Sequence, residues 1–349
     1  VNGVRGGPRG RQTVKRSWRG WGGVATMAAA CTLALATTLT PLGDCARAQG
    51  AATGRAPERQ TGAAVTRTAV TQSLWTTPLD ASADSCDASL RPSSGTTDGA
   101  AVQRIRDRGR LVVGVDQNSY LWGFRDPATG TFAGFDIDIV HAIAKDILGD
   151  PDAVQFLTVP TDQRIPAIQQ HKVDMVVRTM TVNCDRTRQV AFSTAYFGAG
   201  QQILVANGSQ VTGFDDSLEG RTVCTASGST GEAKLRQDPH GATVLTVDNQ
   251  LDCLVRLQLG LADAVFTDNA LAAGQAAQDP SVRLVGQPVT QEPYGVAMNL
   301  GDSDLVRRVN SVLEAYRSGG ADSPWMRSYR HWLQADLPGI DGPPAPTYK

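Results

Sequence analysis

The sequence predicts an α/β protein built on parallel sheet, and three observations predict it. Short apolar runs rich in β-branched residues, such as Leu111-Val112-Val113-Gly114-Val115, have the length and composition of buried strands. Between them lie stretches with apolar residues at four-residue spacing. Ile139, Ile143 and Ile147 are an example, and they give a helix one apolar face. The two kinds alternate from residue 111 to 177 as strand–helix–strand–helix–strand, so right-handed crossovers are expected.

The 349 residues leave room for two domains. A net charge of -1 argues against a nucleic-acid partner, which calls for a basic face. Six cysteines are too few for a disulfide scaffold.

The N-terminal segment reads as an export signal over residues 1–48. Arg5, Arg9, Arg11, Lys15, Arg16 and Arg19 precede an apolar or small stretch from Val24 to Leu42, and Ala46-Arg47-Ala48 follows as a cleavage pattern. Thr38, Thr40 and Pro41 interrupt the apolar run, which makes it marginal as a membrane span. Leu42-Gly43-Asp44-Cys45 resembles a lipidation box, with Asp44 departing from the small residue such boxes use. Ala28-Ala29-Ala30-Cys31 has the small residues but a short apolar run before it. A lipid anchor at Cys45, on the outer face of the cytoplasmic membrane, and a secreted form both stay open. Either route leads to a disulfide-permissive compartment.

Residues 49–99 are Ala, Thr, Ser, Gly and Arg with few large apolar groups, a flexible linker with Cys86 as its fixed point. The folded part opens with a helix over 101–108 and the strand Leu111 to Val115, which ends at Asp116. Tyr120, Trp122 and Phe124 fall in a loop, and Asp126-Pro127-Ala128-Thr129-Gly130 is a turn. Gly134-Phe135-Asp136-Ile137-Asp138 opens a helix. A strand near 154–159, a helix over 164–170 and the strand Val173 to Val177 come next.

That last strand carries the first functional signal. Thr179, Thr181, Asn183 and Arg186 follow it, and in open α/β sheets ligands bind at the carboxyl ends of strands. Hydroxyls with a guanidinium make a carboxylate receptor, because Arg pairs with both oxygens. A strand end with a solvated Arg fits the same residues.

Extended runs are expected over 201–206, 221–225, 243–247, 262–268, 284–286 and 294–299, and helices from about 232, over 249–259, 303–318 and 323–333. Ser227-Gly228-Ser229-Thr230-Gly231 is a turn opening a helix. It offers backbone N–H groups to an anion, or simply caps the helix. It lacks the Lys and spacing of a phosphate loop. The Pro-rich tail 336–349 is expected to be disordered.

Taken together, several stretches resemble the extracytoplasmic solute-binding proteins for polar amino acids, the receptor subunits of ABC importers. They are Gly109 to Val115, Gly134 to Asp138, Val173 to Phe192-Ser193, Gly228-Ser229-Thr230, Ala262 to Asp268 and Tyr294-Gly295-Val296-Ala297. More narrowly, the cysteines and Phe124-Arg125-Asp126-Pro127 make the chain similar to an actinobacterial glutamate/aspartate-binding lipoprotein. Some of those are linked to nutrient signalling.

The resemblance implies two α/β lobes of the periplasmic-binding-protein architecture joined by a two-strand hinge. Lobe one would be 100–199 plus 293–335, and lobe two 200–292. Ligand would bind between the lobes and close them. Arg186 and Thr181 would take the α-carboxylate, Thr179 and Asp268 the α-amine, and Ser229 and Thr230 would complete the carboxylate site. Trp122 would form an aromatic wall, and Asp116 is a polar strand-end position. Arg178 is the candidate for an acidic side chain, although a regular strand would point it away from Thr179 and Thr181. An amide ligand stays open.

Of three possible pairings of the four cysteines beyond the signal, Cys86 with Cys184 and Cys224 with Cys253 are expected. Each pair lies within one lobe, whereas a bridge between lobes would oppose closure. The spacings do not match zinc sites, and no cofactor is expected. The expected partners are a free amino acid and an ABC permease, with a membrane signalling protein as an alternative, and the receptor a monomer. An enzyme on the same fold is the competing class. No Ser–His motif or carboxylate pair supports it, and His141, His171, His240 and His331 suggest no common site.

Overall fold

The computed structural model describes residues 86–93 and 99–349, together with Gly3. The export signal, Cys45 and most of the linker lie outside the described residues.

Two five-stranded sheets form two lobes. In lobe one the wholly buried strand Leu111–Val115 runs parallel to Val154–Thr158 and Met175–Val176. In lobe two Thr222–Ala226 runs parallel to Thr243–Val247 and Ala264–Asp268. The parallel crossovers expected over residues 111–177 are present, and the remaining strands join antiparallel. Ala297–Met298 and Gln201–Ala206 join their sheets antiparallel, and Ala191–Phe192 and Val282–Val285 pair with them. The reason lies in the path of the chain. A strand arriving from the other lobe enters where the parallel strands end, so Gln201 pairs with Asp268 and Ala297 with Val176. The two connections pair with each other as a short antiparallel ribbon, Phe197–Ala199 with Glu292–Tyr294. This topology gathers the ribbon and the strand carboxyl ends of both lobes in one place.

The Gly134 motif begins the helix Phe135–Leu148, and its two acids have separate tasks. Asp136 accepts the Thr179 amide at 3.0 Å and the Tyr196 hydroxyl at 2.8 Å. Asp138 accepts Ser328 Oγ at 2.6 Å and Trp332 Nε1 at 2.9 Å, fastening the helix Pro324–Trp332. Gly134 has φ 122°, and a Cβ there would lie 2.3 Å from the Trp122 carbonyl oxygen. Gly134→Ala is therefore expected to cost roughly 2 kcal/mol or more, from left-handed strain and a backbone clash together. A lower urea midpoint at unchanged slope would show it; an unchanged midpoint would refute the reasoning.

The helix Asn269–Gln278 was not foreseen. Ala270, Leu271, Ala272, Ala273 and Gly274 carry no large-residue periodicity, yet all are buried. Small side chains let it lie close to lobe one: a Cβ on Gly274 would sit 2.5 Å from the Tyr120 carbonyl oxygen.

The tail is also corrected, because it packs on lobe one. Ser89 N–H donates to Thr347 O at 3.0 Å, and Lys349 N–H to Ser89 O at 2.9 Å. Tyr348 Oη donates to Glu314 at 2.6 Å, and Leu337 and Ile340 pack against the core.

The disulfides are Cys86–Cys184 and Cys224–Cys253, one within each lobe. Among the described residues no helix is long and apolar enough to cross a membrane.

Candidate functional site

Where the strand ends of the two lobes face each other, a small cleft holds ≈ 240 Å³ of space between atoms. Thr179, Thr181, Arg186, Ser229, Thr230 and Asp268, all expected from the sequence, line it.

The local backbone explains the placement. The regular ladder stops at Val176, and Thr179 takes φ 41°, a left-handed conformation held by the Asp136 bond to its amide. Arg186 rides on the short helix Cys184–Thr187, whose N-cap Asn183 accepts the Arg186 amide at 3.0 Å. Its guanidinium donates to Thr181 O at 2.8 Å and, across to lobe two, to Gly228 O at 3.2 Å. Ser229 caps the helix Thr230–Gln237 by accepting the Glu232 amide, so its hydroxyl is engaged in capping. Thr230 Oγ1 donates to Glu292 at 2.9 Å. Asp268 ends its strand and accepts from Gln201 Nε2 and Tyr294 Oη.

Three expected ligand residues do not line the cleft. Arg178 is 2 % exposed and pairs with Asp116 at 2.8 Å; it also donates to Thr161 Oγ1 at 3.0 Å and Asn249 Oδ1 at 2.9 Å. Asp116 further accepts the amides of Gln117 and Asn118 and the Ser119 hydroxyl. The two charges therefore satisfy each other at the lobe boundary. Trp122 lies in an aromatic cluster with Phe135, Phe197 and Tyr294, and its Nε1 donates to Ala270 O at 3.0 Å. It joins the lobes rather than walling the cleft.

Arg164, Gln201, Gln250 and Leu271 also line the cleft, and sequence reasoning did not mark them. Arg164 looked like a helix start and Gln201 a strand start; only the folded chain brings them together. The signal that could have found Arg164 is an arginine opening the helix that follows a parallel strand, on the side of the strand's carboxyl end.

A family model for bacterial extracellular solute-binding proteins, family 3, matches residues 111–335. The chain belongs to that family. This solute-binding protein is 38% identical over 232 residues to the ABC transporter glutamine-binding protein GlnH of Bacillus subtilis, covering 66% of this chain and 84% of the relative. It is 27% identical to the glutamate/aspartate import solute-binding protein of Salmonella typhimurium, covering 71% and 82%. Among solved structures, an ancestral arginine-binding protein bound to glutamine superposes with TM-score 0.60 at 37% identity, covering 65% of this chain and 98% of that one.

The electrostatics of the binding protein's cleft are those of buried, opposed charges. Burial lowers Arg186 from the usual arginine range, against the pull of Glu292 and Asp268. Arg164, 4 % exposed, is lowered further by burial and by its neighbours Arg186 and Arg178. Both stay cationic, since arginine does not deprotonate in proteins, so the lowering reflects two cations held out of water. Burial, then Glu292, pushes the Asp268 carboxyl up to about 7. An ammonium beside it would reverse that.

Proposed function

We propose that this solute-binding protein takes up a free acidic amino acid, glutamate or aspartate, between its lobes and delivers it to a membrane permease of the ABC class. The observation that carries this reading is the set of charged groups on the cleft wall: Arg164, Arg186 and Asp268. An acidic amino acid has two carboxylates and one ammonium, and these groups complement it charge for charge. Arg186 with Thr181 takes the α-carboxylate, Asp268 the α-ammonium, and Arg164 the side-chain carboxylate. Arg164 thereby replaces Arg178 as the side-chain partner. The ribbon of Phe197–Ala199 and Glu292–Tyr294 is the hinge.

A glutamine ligand is the second reading, favoured by the similarity to the Bacillus subtilis protein. Isothermal titration with glutamate, aspartate, glutamine and asparagine separates the two. Acids are expected to bind at least tenfold tighter than their amides. Arg164→Met is expected to weaken glutamate by roughly 2 kcal/mol or more and glutamine by much less. Equal weakening of both would remove Arg164 from specificity. Tighter glutamine binding would establish the amide reading, and no binding of any of the four would overturn both.

A further inference from the structure

The two disulfides have opposite surroundings. Cys224 and Cys253 are both 0 % exposed in the core of lobe two. Cys184 is exposed and Cys86 half-buried, beside a surface cavity with ≈ 620 Å³ of space that Cys86, Val182 and Thr187 help to line. Thiol–disulfide exchange requires a thiolate to reach a sulfur, so the first bridge is open to it and the second is not.

The accessible bridge sits two residues from Arg186. Cys184 is the first residue of the helix Cys184–Thr187. A helix of four residues does not hold itself. Besides the bridge, it is fixed by the Asn183 cap, by the Gln189 and Val190 amides, which both donate to Arg186 O at 2.9 Å, and by the Arg186 guanidinium bonds to Thr181 O and Gly228 O, so the bridge is one of several restraints on the backbone that carries Arg186. At its other end the bridge is anchored firmly. Ser89, three residues after Cys86, donates to Phe192 O at 2.6 Å and accepts from Asn310 at 2.8 Å.

We propose that Cys86–Cys184 is a thiol-exchange site whose redox state sets how firmly Arg186 is held, and so how tightly the protein binds its ligand. The co-reactant is a dithiol of the extracytoplasmic space. One of its thiolates attacks the Cys184 sulfur, the S–S bond breaks, and Cys86 leaves as a thiolate that takes up a proton. The second thiol of the co-reactant then attacks the mixed disulfide and releases Cys184 as a thiol. Two electrons pass to the protein, and the dithiol leaves oxidised. The consequence for affinity rests on the amino-acid-binding reading; the exchange and the loosening of the helix do not.

The test is a dithiothreitol titration of the folded protein with three readouts: thiol labelling with peptide mapping, amide exchange over 184–190, and calorimetric titration with glutamate and glutamine. Cys86 and Cys184 are expected to label first while Cys224 and Cys253 stay protected. Exchange at the Arg186 and Val190 amides should rise. If reduction leaves Arg186 in place about a tenth of the time, the apparent Kd rises about tenfold. Cys86→Ser/Cys184→Ser should match the reduced protein and ignore dithiothreitol; the wild-type titration decides the matter if that variant does not fold. Simultaneous reduction of both bridges, or free Cys86 and Cys184 thiols with unchanged exchange, would overturn the proposal. Raised exchange with unchanged affinity would overturn its link to binding. Should the oxidised protein bind neither amino acid, the receptor reading fails, and labelling and exchange still decide the thiol-exchange site.

Discussion

Arg186→Ala is expected to abolish useful binding, with a loss of roughly 2–5 kcal/mol, about thirtyfold to a few thousandfold in Kd. Arg186 is 7 % exposed, and its guanidinium already touches both lobes, through Thr181 O and Gly228 O. A ligand carboxylate left there without it would be buried and unpaired, and much of the loss is that penalty. The ligand-free protein should be no less stable, since a costly buried cation has been removed. A ligand-induced rise in Tm should vanish with the binding. Micromolar binding retained by Arg186→Ala would mean that the α-carboxylate is held elsewhere.

The second large effect falls on Asp268. Its carboxyl is pushed up to about 7 by burial and by Glu292, while Tyr294, Arg186 and Arg164 pull the other way. A ligand ammonium placed beside it, as proposed, would favour the ionised form, so binding below pH 7 would expel a proton. Affinity is then expected to fall by up to tenfold per pH unit below about 7 and to level off above it. Calorimetry at pH 6 in buffers of different ionisation enthalpy should register close to one proton released per ligand. Asp268→Asn should weaken binding by roughly 2 kcal/mol or more and abolish the proton release. Release that persists in this variant would assign the proton to another group, such as Asp136, whose carboxyl burial also pushes up to about 7. The sign for folding is opposite to that of an ordinary carboxylate. Both acids lie above their unfolded value, so ligand-free stability should decline as pH rises from about 4 through 7.

The parts of this protein that announce themselves in sequence are those whose physics is local. Leu111–Val115 and Gln201–Ala206 are strands because their own residues demand burial, and both lie where periodicity put them. Arg186 and Thr181 were legible because each follows a strand, where the fold class itself places ligands, whereas Asp268, the last residue of its strand, was marked by the family resemblance. The helix Asn269–Gln278 was not, since a run of alanines has no apolar stripe and its burial comes wholly from neighbours. Arg178 and Arg164 show the same boundary from the other side. Both are arginines near strand ends, and only the partners decide between them. Asp116 takes one into a private ion pair, while the Thr161 carbonyl holds the other by its Nε, with the cleft in front of it. The tail is a third case, because counting prolines cannot register that the Ser89 backbone pairs with it through two hydrogen bonds.

The lobes also touch through bonds in which a solute has no part. Trp122 donates to Ala270 O, the Thr161 amide to Asp248 O, and Arg178 to Asn249 Oδ1. Solute held behind these fasteners can leave only when they part together, so residence time is set by the clamp as much as by the grip. Firmer fastening lengthens retention and, by the same amount, slows unloading. The clamp thus ties retention to the rate of supply: a receptor fastened this way empties quickly only if something outside it pulls the lobes apart.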